Sequence, residues 1–207
     1  MSDYVRLNDY GNHGWPQPKE NWGLTPMYGE DGWCHSCGIP CREQTGSMIV
    51  KISPKAVRIG VWTPNWQHDS QVLSEDLAAE AAARFSVRLI PVELRPASSR
   101  PQQLVPTVTD SPWFDHEALR VAVIARHGSA GATCPECGVW RWYGLVEWEQ
   151  PPATRSPDWD GHDVVASPEW FGAGWKAYRE VLFRRELAEL IVAANPRRAK
   201  IIEVNWA

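Results

Sequence analysis

Two copies of one cysteine motif contain the residues of this chain best suited to chemistry. The first reads C-H-S-C-G at residues 34–38, and the second reads C-P-E-C-G at residues 134–138. In each copy, the glycine after the second cysteine permits the positive φ of a tight turn, whose backbone N–H groups can point at the sulfurs. Two such turns facing each other predict one four-sulfur metal site. Its ligands are Cys34, Cys37, Cys134 and Cys137.

The number of sulfur ligands indicates which metal is bound and what it does. Four thiolates in tetrahedral geometry are typical of structural zinc, and iron is the alternative because rubredoxin-like sites use similar turns. A catalytic zinc keeps one position open for water or substrate, whereas four thiolates leave none. We therefore expect a zinc ion that stabilises the fold by closing a loop of roughly a hundred residues.

Two other residues beside the first motif, His35 and Cys41, are of types that bind metals. The chain has five cysteines, so four better-placed sulfurs are already available. We expect both residues to lie outside the coordination sphere of the metal. Cys41 follows Pro40 and is predicted to be a small buried apolar side chain rather than a reactive thiol.

The composition is that of an ordinary globular chain with an acidic balance. The formal net charge is −4 and the isoelectric point is about 5.9, which argues against a nucleic-acid partner. The polar first residues do not resemble a signal peptide, and no apolar run reaches the roughly 18 residues of a membrane helix. We therefore expect a cytoplasmic protein without a membrane span, in which thiols stay reduced and paired cysteine motifs bind metals.

A search for catalytic groups finds only one local cluster of acids and bases. The six histidines are scattered, and the signatures of zinc proteases, serine hydrolases and nucleotide-binding loops are absent. The cluster is Asp115-His116-Glu117, directly after Trp113-Phe114. If it formed an active site, replacing His116 by alanine would abolish activity and leave folding and zinc intact. A loop or the start of a helix is the alternative interpretation.

The chain is rich in tryptophan, with 13 residues against 4 phenylalanines and 5 tyrosines. Tryptophan serves both cores and interfaces, because it combines a large apolar area with a polar N–H. Four tryptophans lie near loops or beside the second motif and are the predicted partner contacts, although each is also suited to a packed core. They are Trp113, Trp140, Trp142 and Trp159.

The elements that position the motifs are predicted from the periodicity of apolar residues. Ser74 is a candidate cap, followed by acidic residues in the first turn of a helix. Before the second motif, strands are predicted at 48–53, 57–62 and 87–94, a helix at 74–85, a proline-broken loop at 95–106 and a buried strand at 120–125.

After the second motif, strands are predicted at 140–148 and 199–206. The S-P-E-W-F sequence at 167–171 is typical of a helix start, and apolar residues recur at helical spacing from Phe171 through Trp175 and Tyr178 to Ala194. The sequence thus predicts a single α+β domain over residues 1–207. It contains a small antiparallel or mixed sheet, one or two C-terminal helices and a zinc ribbon formed by 33–41 and 133–143.

The arrangement of motifs resembles the double-CXXCG motif proteins, a family of paralogues in myxobacteria. The resemblance rests on the two cysteine motifs, on V-V-A-S-P-E-W-F at 164–171 and on K-I-I-E-V at 200–204. In that family the former segment opens a helix and the latter forms a final strand. Some members are described as immunity proteins, which bind and neutralise a toxin delivered by sister cells. The resemblance therefore implies stoichiometric binding rather than turnover.

Three functional hypotheses follow from these observations. The first is a zinc-stabilised cytoplasmic immunity protein that binds a cognate, basic toxin through acidic groups and exposed tryptophan. The second is a zinc-ribbon adaptor subunit in a constitutive bacterial complex, which gene neighbourhood would distinguish from the first. The third is an enzyme with a site at Asp115, His116 and Glu117.

Overall fold

The computed structural model describes residues 3–8, 11–53, 60–96, 99–156, 159–172, 176–197 and 199–207. Over these residues the chain forms three β-sheets and four α-helices, which confirms the α+β class. None of the helices in the described residues is both long and apolar enough to span a membrane.

The helices and strands follow one another in short elements. The helices are α1 (Leu24–Tyr28), α2 (Glu75–Arg84), α3 (His116–His127) and α4 (Arg185–Ala194), with 3₁₀ turns at Lys19–Asn21 and Glu147–Glu149. The strands are β1 (Tyr4–Asn8), β2 (Trp15–Gln17), β3 (Met48–Lys51), β4 (Val61–Trp62), β5 (Gln71–Leu73), β6 (Arg88–Arg95), β7 (Gln102–Val105), β8 (Thr107–Val108), β9 (Gly131–Thr133), β10 (Trp140–Trp142), β11 (Val164–Ala166), β12 (Trp170–Phe171), β13 (Val181–Arg184) and β14 (Lys200–Glu203).

The larger sheet has six strands in the order β2-β3-β6-β7-β5-β4. Strand β3 is parallel to β6 and antiparallel to β2, so the sheet is mixed. Met48 and Val50 alternate with more exposed residues along β3 and are fully buried. They pack with Leu24 and Met27 of α1 and with Trp33, just before the first cysteine motif. The first motif is therefore anchored to the core of this sheet.

The five-stranded sheet has the order β14-β1-β13-β11-β8 and packs against α2 and α4. Leu187, Ala188 and Ile191 form the buried face of α4, because residues three or four positions apart lie on one side of a helix. Leu77 and Ala81 of α2 belong to the same hydrophobic cluster. This cluster also includes residues of both large sheets, so the two sheets share one core.

The smallest sheet positions the second cysteine motif. Strands β9 and β10 pair antiparallel, with Thr133 opposite Trp140, and the motif forms the turn between them. Strand β12 runs parallel to β10 on its other edge, with Trp170 opposite Arg141. The C-terminal third of the chain thus supports the second motif through backbone hydrogen bonds.

The buried strand predicted at 120–125 is wrong, because this segment lies within helix α3. The Asp115 side chain accepts a hydrogen bond from the Ala118 amide and caps the helix. Only Leu119 and Val123, four residues apart, are fully buried, and Val121 is 58% exposed. A run of β-branched residues suggested a strand, but capping and helical burial determined the conformation.

The helix predicted to start at 167–171 is also wrong, because β12 and β13 occupy this region and only α4 is helical. Phe171 and Tyr178 exchange both backbone hydrogen bonds, at 2.9 and 3.0 Å. The Ser167 hydroxyl donates to the Glu169 carbonyl instead of capping a helix. Tertiary pairing therefore satisfies the backbone groups that a helix would have used, and Trp175 lies outside the described residues.

Other elements were predicted with smaller errors. Strands β3, β6 and β14 and helix α2 lie within or close to the predicted ranges. The predicted loop at 95–106 contains strand β7, and the predicted strand at 140–148 ends at Trp142. Of the strand predicted at 57–62, residues 57–59 lie outside the described residues and Val61–Trp62 form β4.

Candidate metal centre

The four predicted sulfur ligands meet in one cluster, and their Sγ atoms all lie within 4.8 Å of one another. Cys34 and Cys134 have their sulfurs 3.8 Å apart, and those of Cys37 and Cys137 are 3.6 Å apart. A regular tetrahedron with Zn–S bonds of about 2.3 Å has sulfurs separated by about 3.8 Å. The cluster therefore has the dimensions of a tetrahedral four-sulfur metal site.

The first motif folds as a closed turn. The Cys34 amide donates to the Ile39 carbonyl at 2.8 Å, and the Gly38 amide donates to the Cys34 carbonyl at 2.7 Å. Gly38 has φ of 75°, in the left-handed region that favours glycine. Trp33 and Pro40 then form an antiparallel bridge that closes the turn.

The second motif repeats these bonds residue for residue. The Cys134 amide donates to the Val139 carbonyl at 3.0 Å, and the Gly138 amide donates to the Cys134 carbonyl at 2.9 Å. Gly138 has φ of 72°. The same five-residue sequence pattern therefore produces the same backbone turn in two unrelated parts of the fold.

Backbone amides are aimed at the sulfurs in both turns. Amides of Cys137 and Glu136 lower the pKa of Cys134 to about 6. Burial raises the thiol pKa of Cys37 and of Cys137, against the opposing effect of the amides of Ile39 and Val139. Four adjacent thiolates repel one another, so holding all of them deprotonated in this cluster requires a bound cation. The donor set and its amides thus suit a thiophilic divalent metal.

Neither of the two neighbouring candidates joins the cluster, as expected. His35 is exposed, stacks on Trp33 with ring centroids 4.0 Å apart, and hydrogen bonds to the Glu30 carbonyl. The expectation that Cys41 is buried is wrong, because its side chain is exposed. Ile39 is 1% exposed, whereas Cys41 lies on the surface just after the bridge, where its amide donates to the Gly32 carbonyl at 2.8 Å.

Two members of the predicted acid–base cluster have structural partners. Asp115 caps helix α3 through the Ala118 amide at 2.8 Å. Glu117 forms a two-bond ion pair with Arg120 on the exposed surface of the same helix, at 2.6 and 2.9 Å. These carboxylates therefore point to the helix start and to solvent rather than converging on one reacting position.

His116 has a different neighbour. Its Nε2 lies 3.3 Å from Oε1 of Glu169, a buried carboxylate that also accepts a hydrogen bond from the Trp113 amide at 2.9 Å. The imidazole also lies beside Trp142, with ring centroids 5.6 Å apart. The contacts of His116 thus connect the start of α3 to the segment near β12. They involve neither Asp115 nor Glu117.

The predicted partner contacts divide into one exposed and three buried tryptophans. Trp113 and Trp159 are fully buried with ring centroids 4.7 Å apart, and Trp142 is 8% exposed. The indole N–H of Trp113 donates to Thr109 Oγ1, so even its polar atom is satisfied internally. As folded, these three present almost no surface to a partner, and their large apolar areas form an aromatic core. Trp140, at 41% exposed, remains accessible.

Sequence reasoning missed three exposed tryptophans, Trp148, Trp15 and Trp66, which are 81%, 43% and 37% exposed. Trp148 lies between two glutamates in a 3₁₀ turn, and this polar context was a usable signal of exposure. Trp66 lies in a loop and has φ of 69°, which no sequence pattern indicates. These three residues replace the buried tryptophans as candidate contacts.

No family model, curated protein or solved structure matches the chain. The resemblance to double-CXXCG proteins therefore rests on the motifs alone. Function has to be argued from the cysteine cluster, the surface and the cavities.

Proposed function

We propose that this chain is a zinc-stabilised binding protein. The observation that carries the proposal is the closed cluster of Cys34, Cys37, Cys134 and Cys137, whose sulfur separations fit a tetrahedral zinc ion. Zinc is preferred to iron because a purely structural role needs no redox change. When bound, the ion supplies folding energy by joining two distant segments.

Binding is favoured over catalysis by the way the candidate groups are used. Four cysteine ligands fill a tetrahedral site and leave no position for a substrate. Asp115 caps a helix, Glu117 pairs with Arg120, and His116 faces Glu169. A shared reacting position, which an active site needs, is therefore not formed by these three residues.

We assign the chain to the cytoplasm and propose that it is an immunity protein for a cognate toxin. Reducing conditions there keep the four cysteines available as metal ligands. The net charge of −4 suits a basic partner, since opposite charges speed association and favour the correct complex. The double motif and its resemblance to a family with immunity members support the same role.

Co-expression with the product of the adjacent gene tests the proposal. We expect that product to arrest bacterial growth when expressed alone and to be harmless when expressed with this chain. Size-exclusion chromatography with light scattering should then give a complex of fixed stoichiometry. A neighbour without toxicity, or protection at far less than stoichiometric amounts of this chain, would contradict stoichiometric neutralisation.

The cysteine variant Cys134→Ser/Cys137→Ser separates the role of zinc from the role of the surface. It should lose zinc, stability and protection together. The matched control is Cys41→Ser, which changes an exposed cysteine outside the cluster. This control should retain zinc and protection in full.

A further inference from the structure

A cavity of about 540 Å³ lies between strands β1, β5 and β13 and the 3₁₀ turn Glu147–Glu149. Its size is that of pockets that enclose a small ligand or a large side chain. Its wall combines aliphatic residues, including Leu145 and Val181, with a concentration of polar groups. The cysteine cluster contributes no residue to this wall.

Part of the polar wall is already satisfied. Arg6, which is 7% exposed, pairs with Glu180 at 3.2 Å, and Gln150 Nε2 donates to the same carboxylate at 2.8 Å. The charges of this pair cancel. Arg179 also lines the cavity, and the nearby carboxylate of Asp69 offsets its positive charge. The two arginines of the wall therefore contribute little net positive charge.

The other part of the wall offers acceptors that need a donor. Gln71 is only 4% exposed, and among the described residues its Oε1 has no hydrogen-bond partner. A buried acceptor without a donor is unfavourable, so the amide is suited to a ligand N–H. Glu147 accepts a hydrogen bond from Asn8 at 3.0 Å and has no ion pair among the described residues. Its carboxylate, which lines the cavity, can therefore pair with a cationic ligand.

The electrostatic environment at the Tyr178 hydroxyl is negative. Burial raises the pKa of the Tyr178 hydroxyl, and the carboxylates of Glu180 and Glu147 raise it further, against the opposing effect of Arg6. Tyr178 lines the cavity together with these residues. A cationic group entering the cavity would thus be stabilised where a further anion would be repelled.

Exposed aromatic side chains lie next to residues of the cavity wall. Trp148 follows Glu147 directly and is 81% exposed, the most exposed of the large apolar residues in the described chain. On another side, His68 lines the cavity and contacts Trp66 with ring centroids 6.3 Å apart. Tryptophan is enriched among the residues that contribute most of the binding energy of a protein interface, and such residues cluster around well-packed pockets.

We propose that this cavity binds an arginine side chain presented by a basic protein partner. The guanidinium donates to Gln71 Oε1 and to the Glu147 carboxylate, and the aliphatic stem packs on Leu145 and Val181. Trp148 covers the partner's surface around that arginine. The inference rests on the proposed immunity function, and it identifies the docking surface and the chemistry of the toxin at that surface.

NMR titration of the full ¹⁵N-labelled protein tests the proposal with defined probes. The probes are Nα-acetyl-arginine N-methylamide and its citrulline counterpart, which has nearly the same shape and no charge. We expect the arginine probe to shift the Trp148 indole and Gln71 amide signals saturably. The citrulline probe should bind about tenfold more weakly, because a charge-assisted hydrogen bond is lost.

Two glutamates, one half-buried in the cavity wall and one exposed elsewhere, provide the variant and its control. Glu147→Gln should weaken binding of the arginine probe about tenfold. Glu43→Gln removes an 86% exposed carboxylate that lines a different cavity and should change nothing. Equal binding of both probes, or an unaltered affinity in Glu147→Gln, would overturn the proposal.

The same experiment separates this inference from the proposed function. If the probes fail and the adjacent gene product still forms its protective complex, the toxin docks elsewhere and the cavity assignment is wrong. If arginine binds selectively and no toxin complex exists, the cavity is a binding site and the immunity role is wrong.

Discussion

The two cysteine turns have the same backbone hydrogen bonds, but their surroundings differ. In the first turn, Cys37 and Ile39 are each 1% exposed and the neighbouring Trp33 is 4% exposed. In the second, Cys134 is equally buried, but Gly138 is exposed and Trp140 is 41% exposed. The first turn is therefore built into the core of the six-stranded sheet. The second turn lies at the surface and covers the first.

This difference separates what local sequence determines from what the fold determines. The pattern C-x-x-C-G is sufficient to set the turn, because both copies have a glycine at positive φ and the same amide contacts. Burial is set by the elements on either side. We therefore expect the second turn to be the half of the site that opens first when metal is released.

The largest expected effect is the loss of one pair of ligands. Both Cys34→Ser/Cys37→Ser and Cys134→Ser/Cys137→Ser should abolish zinc binding. Each should cost about 4–5 kcal/mol of unfolding free energy, by analogy with a covalent cross-link closing a loop of this length. The first pair should cost about 1–3 kcal/mol more, since it leaves two buried serine hydroxyls where the second leaves one, Cys137 being only partly buried. Zinc analysis and urea denaturation measure both, and equal losses would contradict the predicted asymmetry.

The tryptophans beside the two turns give the next largest contrast. Trp33→Ala should cost about 3–5 kcal/mol, because it leaves a cavity among buried side chains. Trp140→Ala removes a partly exposed indole and should cost about 1 kcal/mol or less. Thermal denaturation of the zinc-loaded variants provides the comparison. Similar losses in the two variants would mean that the second turn is buried as deeply as the first.

Glycine substitutions test whether the turn itself matters for metal binding. Gly138→Ala and Gly128→Ala should each cost about 1–2 kcal/mol, because both positions have positive φ and neither has an atom close enough to obstruct a Cβ. Gly128 follows helix α3 and serves as the matched control. Only Gly138→Ala should also speed the transfer of zinc to a chelator. Equal transfer rates would show that the turn does not control metal release.

The smallest expected effect comes from the aliphatic residues after each motif. Ile39→Val should cost about 0.5–1.5 kcal/mol, since Ile39 is fully buried against the cysteines. Val139→Ile adds a methyl group at a half-exposed position and should be neutral to within about 0.5 kcal/mol. Chemical denaturation resolves the difference. A destabilising Val139→Ile would indicate tight packing around the second turn.

Sequence reasoning succeeded where chemistry is carried by short motifs. The four cysteines were identified because their spacing and following glycines are local properties. Helix α3 was missed because its β-branched run suggested a strand, whereas the cap at Asp115 and the inward positions Leu119 and Val123 select a helix. Local pattern was a poor guide wherever two conformations fitted the same residues.

Tertiary features could not be predicted from the sequence, for a different reason. Whether Trp159 is buried or Trp148 exposed depends on which distant segments pack against each. The cavity walls come from segments as far apart as Arg6, Gln71 and Tyr178. No spacing rule connects these positions, because the fold alone brings them together.

The most direct test of the central claim is X-ray absorption at the zinc edge, together with metal analysis, on the wild-type protein. The account predicts one zinc per chain with four sulfur neighbours at about 2.3 Å. A metal-free folded protein, or a zinc with nitrogen or oxygen neighbours, would contradict a closed four-cysteine site. Nitrogen or oxygen neighbours would also restore an open position and with it the case for catalysis.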